Sequence, residues 1–323
     1  MSQAKGSLVT GAAGFIGYHL ARNLSENGGG QVYLVDNFAR GQHDLDFAEL
    51  ASRDGVEILS GDLRDIDFVE SLPEVEYVYH LASIDGTENF YQKPFDVLEA
   101  ALIPTLALLN RYARAGIQRF VLSSTSEAYA STVEHFGWEV PTGEDVPLSV
   151  SDVRNPRWSY ASAKIACESA VNAAHLQFGT PVTTVRYHNV YGPRMGWQHV
   201  IPQFIERAKR GIFELHGATN SRSFIFVNDA VRLTRLVAQH PEAIGETFHV
   251  GTQQEISMMG LADLILEKMG IEGSVVTFDA PLGSVSRRVP DTRKLEELTG
   301  DFERTALAEG LEQTLRYYDS VNN

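Results

Sequence analysis

The chain has 323 residues, of which 43% are hydrophobic and 21% charged, a composition that is ordinary for a globular protein and excludes a disordered or fibrous one. Its 42 acidic residues outnumber its 27 basic residues, giving a net charge of −15, whereas proteins that follow a nucleic-acid backbone are normally basic. No apolar run approaches the roughly 18 residues that span a bilayer, and the longest, around Ala100–Leu109, contains Pro104. We therefore expect a globular protein of roughly two domains that binds neither nucleic acid nor a membrane.

The cysteine content and the first residues of the chain indicate the cellular compartment in which the protein is expected. Cys167 is the one cysteine of the sequence and cannot form an internal disulfide, which fits a reducing compartment. Only Lys5 precedes the first apolar stretch, and glycines interrupt that stretch, so it is a poor match to a secretory signal peptide. We expect the protein to be cytoplasmic.

Over the first two-thirds of the chain, short β-type runs alternate with helical stretches. The predicted strands are Ser7–Thr10, Gln31–Asp36, Val56–Ser60, Val75–Leu81, Arg119–Ser123 and Val182–Tyr187. The predicted helices are Phe15–Asn27, Asp65–Ser71, Asp96–Ala115 and Tyr160–Phe178. Strands that alternate with helices pair in parallel, and the helices cover both faces of the sheet. The predicted fold class is therefore α/β, a doubly wound parallel sheet of the Rossmann type.

After about residue 188 this alternation loosens. Helices are predicted near Pro202–Arg210, Asp229–Gln239, Gly260–Met269 and Thr305–Tyr318, and isolated strands at Phe224–Val227 and Thr247–Val250. We expect residues 1–187 to form the sheet domain and residues of about 225–251 to return to it. Residues 188–224 and 252–323 are expected to form a smaller C-terminal lobe that is interleaved with the sheet domain.

The first chemical motif is a glycine turn between the first predicted strand and helix, formed by Gly11, Gly14 and Gly17. Glycine at these places lets the backbone turn tightly, approach a pyrophosphate and pack the helix against the strand, and the helix N-terminus then faces the phosphates. Asp36 ends the second predicted strand, where a carboxylate accepts hydrogen bonds from a ribose and repels a 2′-phosphate. The motif predicts a dinucleotide site that favours NAD over NADP, although Arg40 weakens this preference. A purely structural glycine turn is the alternative.

A second motif places Tyr160 four residues before Lys164. At this spacing both side chains share one helix face, where the Lys164 ammonium lowers the pKa of the Tyr160 phenol so that it exchanges a proton with a substrate hydroxyl. A solvated helix face is the alternative. The order along the chain favours catalysis, because the glycine turn comes first, then a strand that ends in the serine-rich segment 123–129, and then this pair.

Together these motifs resemble the extended short-chain dehydrogenase/reductases, in their branch of nucleotide-sugar epimerases and dehydratases, and the resemblance covers nearly the whole chain. It implies an NAD-dependent enzyme. Beyond the glycines and Asp36, the cofactor residues that it implies are Phe15, Ile16, Asn37, Asp62, Leu63, Leu81, Ala82 and Ser83, together with Tyr160 and Lys164. The catalytic residues that it implies are Thr125, Ser126, Glu127, Tyr160 and Lys164, with Thr125 at the position of the family's active-site Ser/Thr.

The same resemblance makes the C-terminal lobe the binding site of a nucleotide-diphosphate sugar. The residues that it implies there are Asn189, Val200, Arg222 and Arg288. Guanidinium groups suit a diphosphate because they donate two hydrogen bonds at fixed geometry. The family often dimerises through the counterparts of helices 96–115 and 160–178, so a homodimer is implied, although Pro104 lies within the first of them. No metal site is expected.

The implied chemistry begins with oxidation of the sugar at C4, in which Tyr160 removes the hydroxyl proton and hydride passes to NAD+. The segment Thr125–Glu127 resembles GDP-mannose-type dehydratases and UDP-glucuronate-type decarboxylases more than 4-epimerases, and a carboxylate beside C5 is what elimination or reprotonation there needs. A purely structural role, in which Glu127 caps or braces the loop, is the alternative. The leading expectation is Glu127-assisted chemistry at C5 and C6, of dehydratase or decarboxylase type. Ser126 stands where dehydratases of deoxythymidine sugars typically have Asp, which counts against that substrate class. The alternatives are a nucleotide-sugar 4-epimerase, in which hydride returns to the opposite face of C4, and a non-catalytic NAD-sensing protein.

Overall fold

The computed structural model of the protein describes residues 6–27, 30–280, 285–300 and 302–321. Its strands are β1 (Ser7–Thr10), β2 (Val32–Asp36), β3 (Val56–Ser60), β4 (Tyr77–His80), β5 (Arg119–Thr125), β6 (Val182–Tyr187), β7 (Val190–Tyr191), β8 (Glu214–His216), β9 (Ser221–Ser223), β10 (Ile225–Phe226), β11 (Glu246–Val250), β12 (Glu255–Ser257), β13 (Val276–Phe278) and β14 (Arg287–Arg288). Its α-helices are α1 (Phe15–Asn27), α2 (Leu45–Ala51), α3 (Ile66–Ser71), α4 (Thr87–Gln92), α5 (Pro94–Tyr112), α6 (Ala130–Phe136), α7 (Ser159–Phe178), α8 (Val200–Lys209), α9 (Val227–Gln239), α10 (Met258–Met269), α11 (Arg293–Thr299) and α12 (Leu307–Ser320). Short 3₁₀ helices lie at Ser126–Tyr129, Pro156–Trp158 and Pro241–Ala243.

Seven parallel strands form the central sheet in the order β11–β6–β5–β4–β1–β2–β3. The chain runs outward from β1 to β3 and then returns to β4 on the other side of β1, so the strand order reverses between β1 and β4. In open parallel sheets, ligands bind in the crevice at the carboxyl ends of the strands beside such a reversal. The predicted α/β class, with a doubly wound parallel sheet, is confirmed.

Helices cover both faces of this sheet and bury an apolar core against each. Neighbouring strand residues point to opposite faces, so Val9 belongs to one core and Leu8 to the other. The first core joins Val9 to Leu20 of α1 and Leu233 of α9. The second joins Leu8 to side chains of α5 and α7, including the fully buried Leu108. A third core, in the C-terminal part, is formed by α8, α10 and α12.

The C-terminal strands differ from the prediction. Thr247–Val250 looks isolated in the sequence but lies in the stretch of about 225–251 that is expected to return to the sheet domain, and in the structure β11 pairs in parallel with β6 and extends the central sheet. Helix α9 makes this possible, since it packs on the sheet and returns the chain to its edge as a crossover connection. Strand β10, by contrast, pairs with β7 outside the central sheet. The division into a sheet domain of 1–187 with about 225–251 and a lobe of 188–224 and 252–323 stays a prediction.

The helices differ from the prediction mainly where they are short. In the described residues, α2, α4, α6 and α11 have no predicted counterpart, because helices of under two turns show too few positions to reveal a 3.6-residue period. Helix α5 begins at Pro94 and continues through Pro104 to Tyr112. None of the helices in the described ranges is both long and apolar enough to cross a membrane.

Candidate active site

A cavity of about 930 Å³ opens at the carboxyl ends of the central strands, on both sides of the reversal in strand order. It brings together nearly all of the residues that the sequence predicts for cofactor, catalysis and substrate. These lining residues are Gly11, Gly14, Phe15, Ile16, Gly17, Asp36, Asn37, Asp62, Leu63, Leu81, Ala82, Ser83, Thr125, Ser126, Glu127, Tyr160, Lys164, Asn189, Val200 and Arg288. Arg222 is the predicted residue that does not line the cavity.

The glycine turn has the geometry that a pyrophosphate-binding turn needs. Gly11 adopts a left-handed backbone conformation, with φ of 68°. A Cβ atom on Gly17 would lie 2.0 Å from the Gly11 carbonyl oxygen, so any larger residue there would push α1 away from the turn. The N-terminus of the 13-residue helix α1 follows directly and faces the cavity through Phe15 and Ile16. The residues present therefore fit a dinucleotide phosphate at this place.

Asp36 holds two backbone groups and lines the cavity. One of its carboxylate oxygens accepts a hydrogen bond from Ala13 N at 2.9 Å, and the other accepts one from Phe38 N at 2.8 Å. A carboxylate offers about four lone-pair sites, so each oxygen can accept a further hydrogen bond from a ribose hydroxyl. Nearby, Asn37 donates to Asp62 at 3.3 Å, and hydrogen bonds from Arg64 lower the pKa of Asp62 to about 2.

The segment after β4 is held against the end of β1 by a shared hydroxyl. Thr10 Oγ1 accepts hydrogen bonds from the backbone N–H groups of both Leu81 and Ala82, each at 3.1 Å. This fixes Leu81, Ala82 and Ser83 along the cavity wall. Ser83 Oγ is buried and has no hydrogen-bond partner among the described residues. A buried hydroxyl without a partner is costly, which fits a cofactor that supplies the missing hydrogen bond.

Tyr160 and Lys164 lie on one face of α7, as their spacing predicts, but their coupling differs from the prediction. Lys164 Nζ donates to the carbonyl oxygen of Ser123 at 2.8 Å and lies 5.7 Å from the centre of the Tyr160 ring. Burial raises the pKa of Tyr160, and the carboxylates of Asp85 and Glu127 raise it further. Burial also lowers the pKa of Lys164. In the protein alone, the pKa of Tyr160 is therefore raised, opposite in sign to the predicted lowering.

The Thr-Ser-Glu segment owes its shape to a local cap. Thr125 ends β5, and its Oγ1 accepts a hydrogen bond from Glu127 N at 3.2 Å, which starts the 3₁₀ helix at Ser126. The Thr125 hydroxyl proton is left free to be donated to a substrate oxygen. Ser126 is buried, with 2% of its surface exposed, and also lines the cavity. The cap thus places the Thr125 hydroxyl and the Glu127 carboxylate together at one end of the cavity.

Glu127 is held between two arginines. Arg157 Nη2 lies 2.7 Å from one carboxylate oxygen, and Arg288 Nη1 lies 2.7 Å from the other. Burial alone would raise the pKa of Glu127, but Arg288 and Arg157 together lower it to about 2. Glu127 is therefore a carboxylate at any pH near neutrality. It can accept a proton or a hydrogen bond, but it holds no proton to donate.

The residues predicted for substrate binding divide into two groups. Asn189, Val200 and Arg288 line the cavity, and Asn189 Nδ2 donates to Ser223 O at 2.8 Å. Arg222 does not reach the cavity wall, because its guanidinium donates to the backbone carbonyls of Ser221, Val285 and Ser286. It nevertheless lies beside Arg288, its partner in the β9–β14 register.

Several residues of the site escape the sequence analysis. Asp85 lines the cavity and forms an ion pair with Arg40. The Phe90 ring stacks on Tyr160, with ring centres 5.3 Å apart and planes inclined by 12°. Arg157 binds Glu127 from the turn that precedes α7. Two of these residues could have been found in the sequence by their position next to a recognised motif. Arg157 comes three residues before Tyr160, and Asp85 follows the segment 80–83.

Known proteins match this chain over most of its length. A family model described as the NAD dependent epimerase/dehydratase family matches residues 7–251. The chain is 30% identical over 331 residues to the UDP-N-acetyl-alpha-D-glucosaminuronate decarboxylase of Bacillus cytotoxicus, with 99% of both chains covered. The UDP-glucose 4-epimerase of Thermotoga maritima, solved with UDP-glucose, has a TM-score of 0.86 and 30% identity, covering 98% of this chain and 100% of that one. The UDP-glucose 4-epimerase of Thermus thermophilus, solved with NAD, has a TM-score of 0.83 and 26% identity, covering 97% and 98%.

These likenesses agree with the geometry of the cavity. The glycine turn, Asp36 and the unsatisfied Ser83 hydroxyl fit the dinucleotide that the Thermus thermophilus enzyme was solved with. Thr125, Tyr160 and Lys164 line the same cavity next to the dinucleotide end. The chain therefore belongs to the NAD-dependent epimerase/dehydratase family, as an extended short-chain dehydrogenase/reductase that uses NAD to modify a nucleotide sugar.

Proposed function

We propose that this enzyme oxidises the sugar of a nucleotide-diphosphate sugar at C4 and then carries out chemistry at C5 and C6, with decarboxylation of a uronic acid as the net reaction. The observation that carries this proposal is the ionised Glu127, clamped by Arg157 and Arg288 beside Thr125 and Tyr160. A 4-epimerase has no need of a charged group there. The decarboxylase relative from Bacillus cytotoxicus also supports it.

In the first half of the proposed reaction, Tyr160 and Thr125 act on the same substrate oxygen. Tyr160 accepts the proton of the sugar 4-hydroxyl, and the free hydroxyl proton of Thr125 hydrogen-bonds that oxygen. NAD+ held by the glycine turn and Asp36 would take up the hydride from C4, and its positively charged ring would favour the Tyr160 phenolate. Lys164 braces this arrangement by holding the end of β5 through Ser123 O.

In the second half, the C5–C6 bond breaks and carbon dioxide leaves. The electron pair of that bond passes to C5 and into the 4-ketone, and a proton then reaches C5. Hydride returned to C4 would regenerate NAD+, and Tyr160 would give the proton back to the C4 oxygen. The groups of the site favour this outcome over dehydration, which must protonate a leaving C6 hydroxyl. Ser126 is no acid, and Glu127 is ionised, so neither can supply that proton. Arg288 lines the cavity, and its buried Nε lacks a hydrogen-bond partner within the described chain, so it can bind an anionic group of the substrate.

The second candidate is a nucleotide-sugar 4-epimerase, which the likeness to the Thermotoga maritima enzyme favours. In that case the same 4-ketone would form, and hydride would return to the opposite face of C4. Incubation with UDP-linked glucose, glucuronic acid and N-acetylglucosaminuronic acid distinguishes the two. Decarboxylation gives a product lighter by carbon dioxide that carries solvent deuterium at C5. Epimerisation gives a product of unchanged mass with C5 unlabelled.

We also propose that residues 188–224 and 252–323 form the lobe that binds the nucleotide sugar. This proposal is supported by three residues of these segments that line the cavity: Asn189, Val200 and Arg288. The glycine turn of the sheet domain lines the same cavity. Substitution of Asn189 by Ala is expected to weaken binding of the nucleotide sugar and to leave NAD binding unchanged, as measured by calorimetry.

A homodimer formed through α5 and α7 is the proposed assembly. These helices pack side by side and together expose apolar side chains to solvent: Phe95, Ile103 and Leu106 on α5, and Leu176 and Phe178 on α7. The α5 residues recur on one stripe of the helix. Light scattering after size exclusion tests this assembly. We expect a dimer, and a monomer for Leu106→Asp.

A further inference from the structure

Arg157 is a buried arginine that pairs with Glu127 and that the sequence analysis does not identify. It lies in the 3₁₀ turn Pro156–Trp158, just before α7, and its backbone N–H donates to the side chain of Asn155 at 3.0 Å. Its guanidinium carbon lies 5.7 Å from the centre of the Phe90 ring and 5.1 Å from that of Trp158. These contacts hold the side chain in one orientation, with Nη2 2.7 Å from Glu127 Oε2.

Three arginines from different elements lie close to Glu127. Arg157 comes from the turn before α7, Arg288 from β14, and Arg222 from β9 next to it. The charge of Glu127 in turn raises the pKa of the Tyr129 and Tyr160 phenols, which burial already raises. Both oxygens of Glu127 are bound by guanidinium groups, so its orientation and its charge are fixed together.

We propose that Arg157 is a positioning residue that, together with Arg288, keeps Glu127 ionised and in place. Glu127 then serves the C5 step as a fixed negative charge and hydrogen-bond acceptor. It does not serve as the proton donor. This inference rests on the proposed function. The proton that reaches C5 after carbon dioxide leaves is then supplied by water, and the hydroxide that remains is neutralised from bulk solvent.

The clamp acts on one half of the reaction only. Oxidation at C4 depends on Tyr160 and Thr125, whereas Glu127 is needed after the ketone has formed. Loss of Arg157 should therefore leave C4 oxidation close to the wild-type rate and slow carbon dioxide release by about a hundredfold, the size of effect that results from misplacing a reacting group by about 1 Å. If Arg157 served only to hold the start of α7, Tyr160 would shift too, and C4 oxidation would fall with it.

The test compares Arg157→Met, Arg157→Lys and a matched control, Arg154→Gln, in the NAD-loaded enzyme. Arg154 lies three residues before Arg157 in the same segment, but its side chain is 89% exposed and pairs with Asp152. Reduced-nicotinamide absorbance reports C4 oxidation, and released carbon dioxide reports the C5 step. We expect reduced nicotinamide to accumulate in Arg157→Met, partial recovery of carbon dioxide release in Arg157→Lys, and wild-type behaviour in Arg154→Gln. Equal losses in both steps for Arg157→Met would overturn the proposal.

A second measurement separates failure of the clamp from failure of the proposed function. Nuclear magnetic resonance of protein with ¹³C-labelled Glu carboxyl groups follows the titration of Glu127 without substrate, and Glu127→Gln identifies its signal. Arg157→Met should move the titration midpoint of Glu127 upward by about one pH unit or more, as loss of a nearby opposite charge does. An unmoved midpoint would refute the clamp even in an active decarboxylase. A moved midpoint in an enzyme that releases no carbon dioxide would support the clamp and refute the proposed function.

Discussion

Arg40 and Asp85 form an ion pair that joins the loop after β2 to the loop after β4. These loops flank the glycine turn after β1, which lies between the two strands in the sheet. Both residues line the cavity, and their side chains are 38% and 41% exposed. The pair therefore links the two walls of the cofactor end of the cavity, and it gives Arg40 a role besides any effect on the choice between NAD and NADP.

We predict that Arg40→Gln and Asp85→Asn both speed the release of NAD. Each change separates the two loops, and an exposed ion pair contributes up to about 1 kcal/mol, so release should be faster by up to about fivefold. Stopped-flow displacement of fluorescent reduced cofactor measures the rate. Arg22→Gln is the control, because it removes an exposed ion pair with Glu26 on the surface of α1. If Arg22→Gln speeds the release of NAD equally, the ion pair between the two loops does not control that release.

Asp36 should set the preference for NAD over NADP. Its carboxylate lies at the end of β2 and already fixes Ala13 and Phe38, so a 2′-phosphate brought to the same place meets a like charge that cannot move away. The wild type is expected to bind NAD at least about tenfold more tightly, and Asp36→Asn should lose most of this preference while it keeps one acceptor oxygen. Titration calorimetry with both cofactors measures this. Equal affinities in the wild type would remove Asp36 from the ribose site.

Tyr160→Phe should abolish both halves of the reaction. The phenol proton acceptor is lost, so C4 oxidation should fall by roughly a hundred- to ten-thousandfold. NAD binding is expected to persist, because the phenyl ring of the variant would still fill the space beside Phe90. The measurement is reduced-nicotinamide absorbance after mixing with substrate, with cofactor content checked by calorimetry. Wild-type turnover in this variant would exclude Tyr160 as the proton acceptor.

Patterns that repeat along the chain could be predicted, and contacts between distant segments could not. The alternation of short apolar runs with helical periods predicts the parallel sheet, and the glycine turn and the spacing of Tyr160 and Lys164 predict two parts of the cavity lining. The contact between Glu127 and Arg288 joins β14 to the end of β5, and no sequence period connects these positions. From the sequence, Arg288 is expected to bind a phosphate of the substrate, whereas in the structure it forms an ion pair with Glu127.

The pKa of Tyr160 illustrates the same limit in electrostatics. Spacing alone reveals the neighbour at Lys164 but neither the depth of burial nor the carboxylates of Asp85 and Glu127, which together raise the pKa. Burial depends on how α7 packs against the rest of the fold. The sign of the shift is therefore set by tertiary structure and not by helical spacing.

Glu127→Gln should separate the two halves of the reaction. The amide keeps the size of the side chain but cannot balance the charges of Arg157 and Arg288 or keep its place between them, so the C5 step should slow by roughly a hundredfold or more while C4 oxidation continues. Reduced nicotinamide and the 4-keto sugar should accumulate, and mass spectrometry detects the latter. In a 4-epimerase the same change should cost about tenfold or less. A mild effect together with an unlabelled C5 would favour the epimerase.

Glu127 should also leave a signature in the dependence of stability on pH. Its pKa is lowered from 4.5 to about 2 in the folded protein. The stabilisation of the folded protein by the Glu127 carboxylate is therefore fully present at a pH above the pKa of Glu127 in the unfolded chain. It is lost as the pH falls toward the pKa of Glu127 in the folded protein. The difference in free energy of unfolding between wild type and Glu127→Gln should be constant above about pH 5 and shrink by about 2 kcal/mol on going to about pH 3. Urea unfolding at several pH values measures this difference.

Glu49→Gln serves as the control, because the Glu49 side chain is 76% exposed and its pairing with Arg53, at 3.8 Å, contributes little. A difference that stays constant down to about pH 3 would mean that Glu127 is not held as a carboxylate by its arginines.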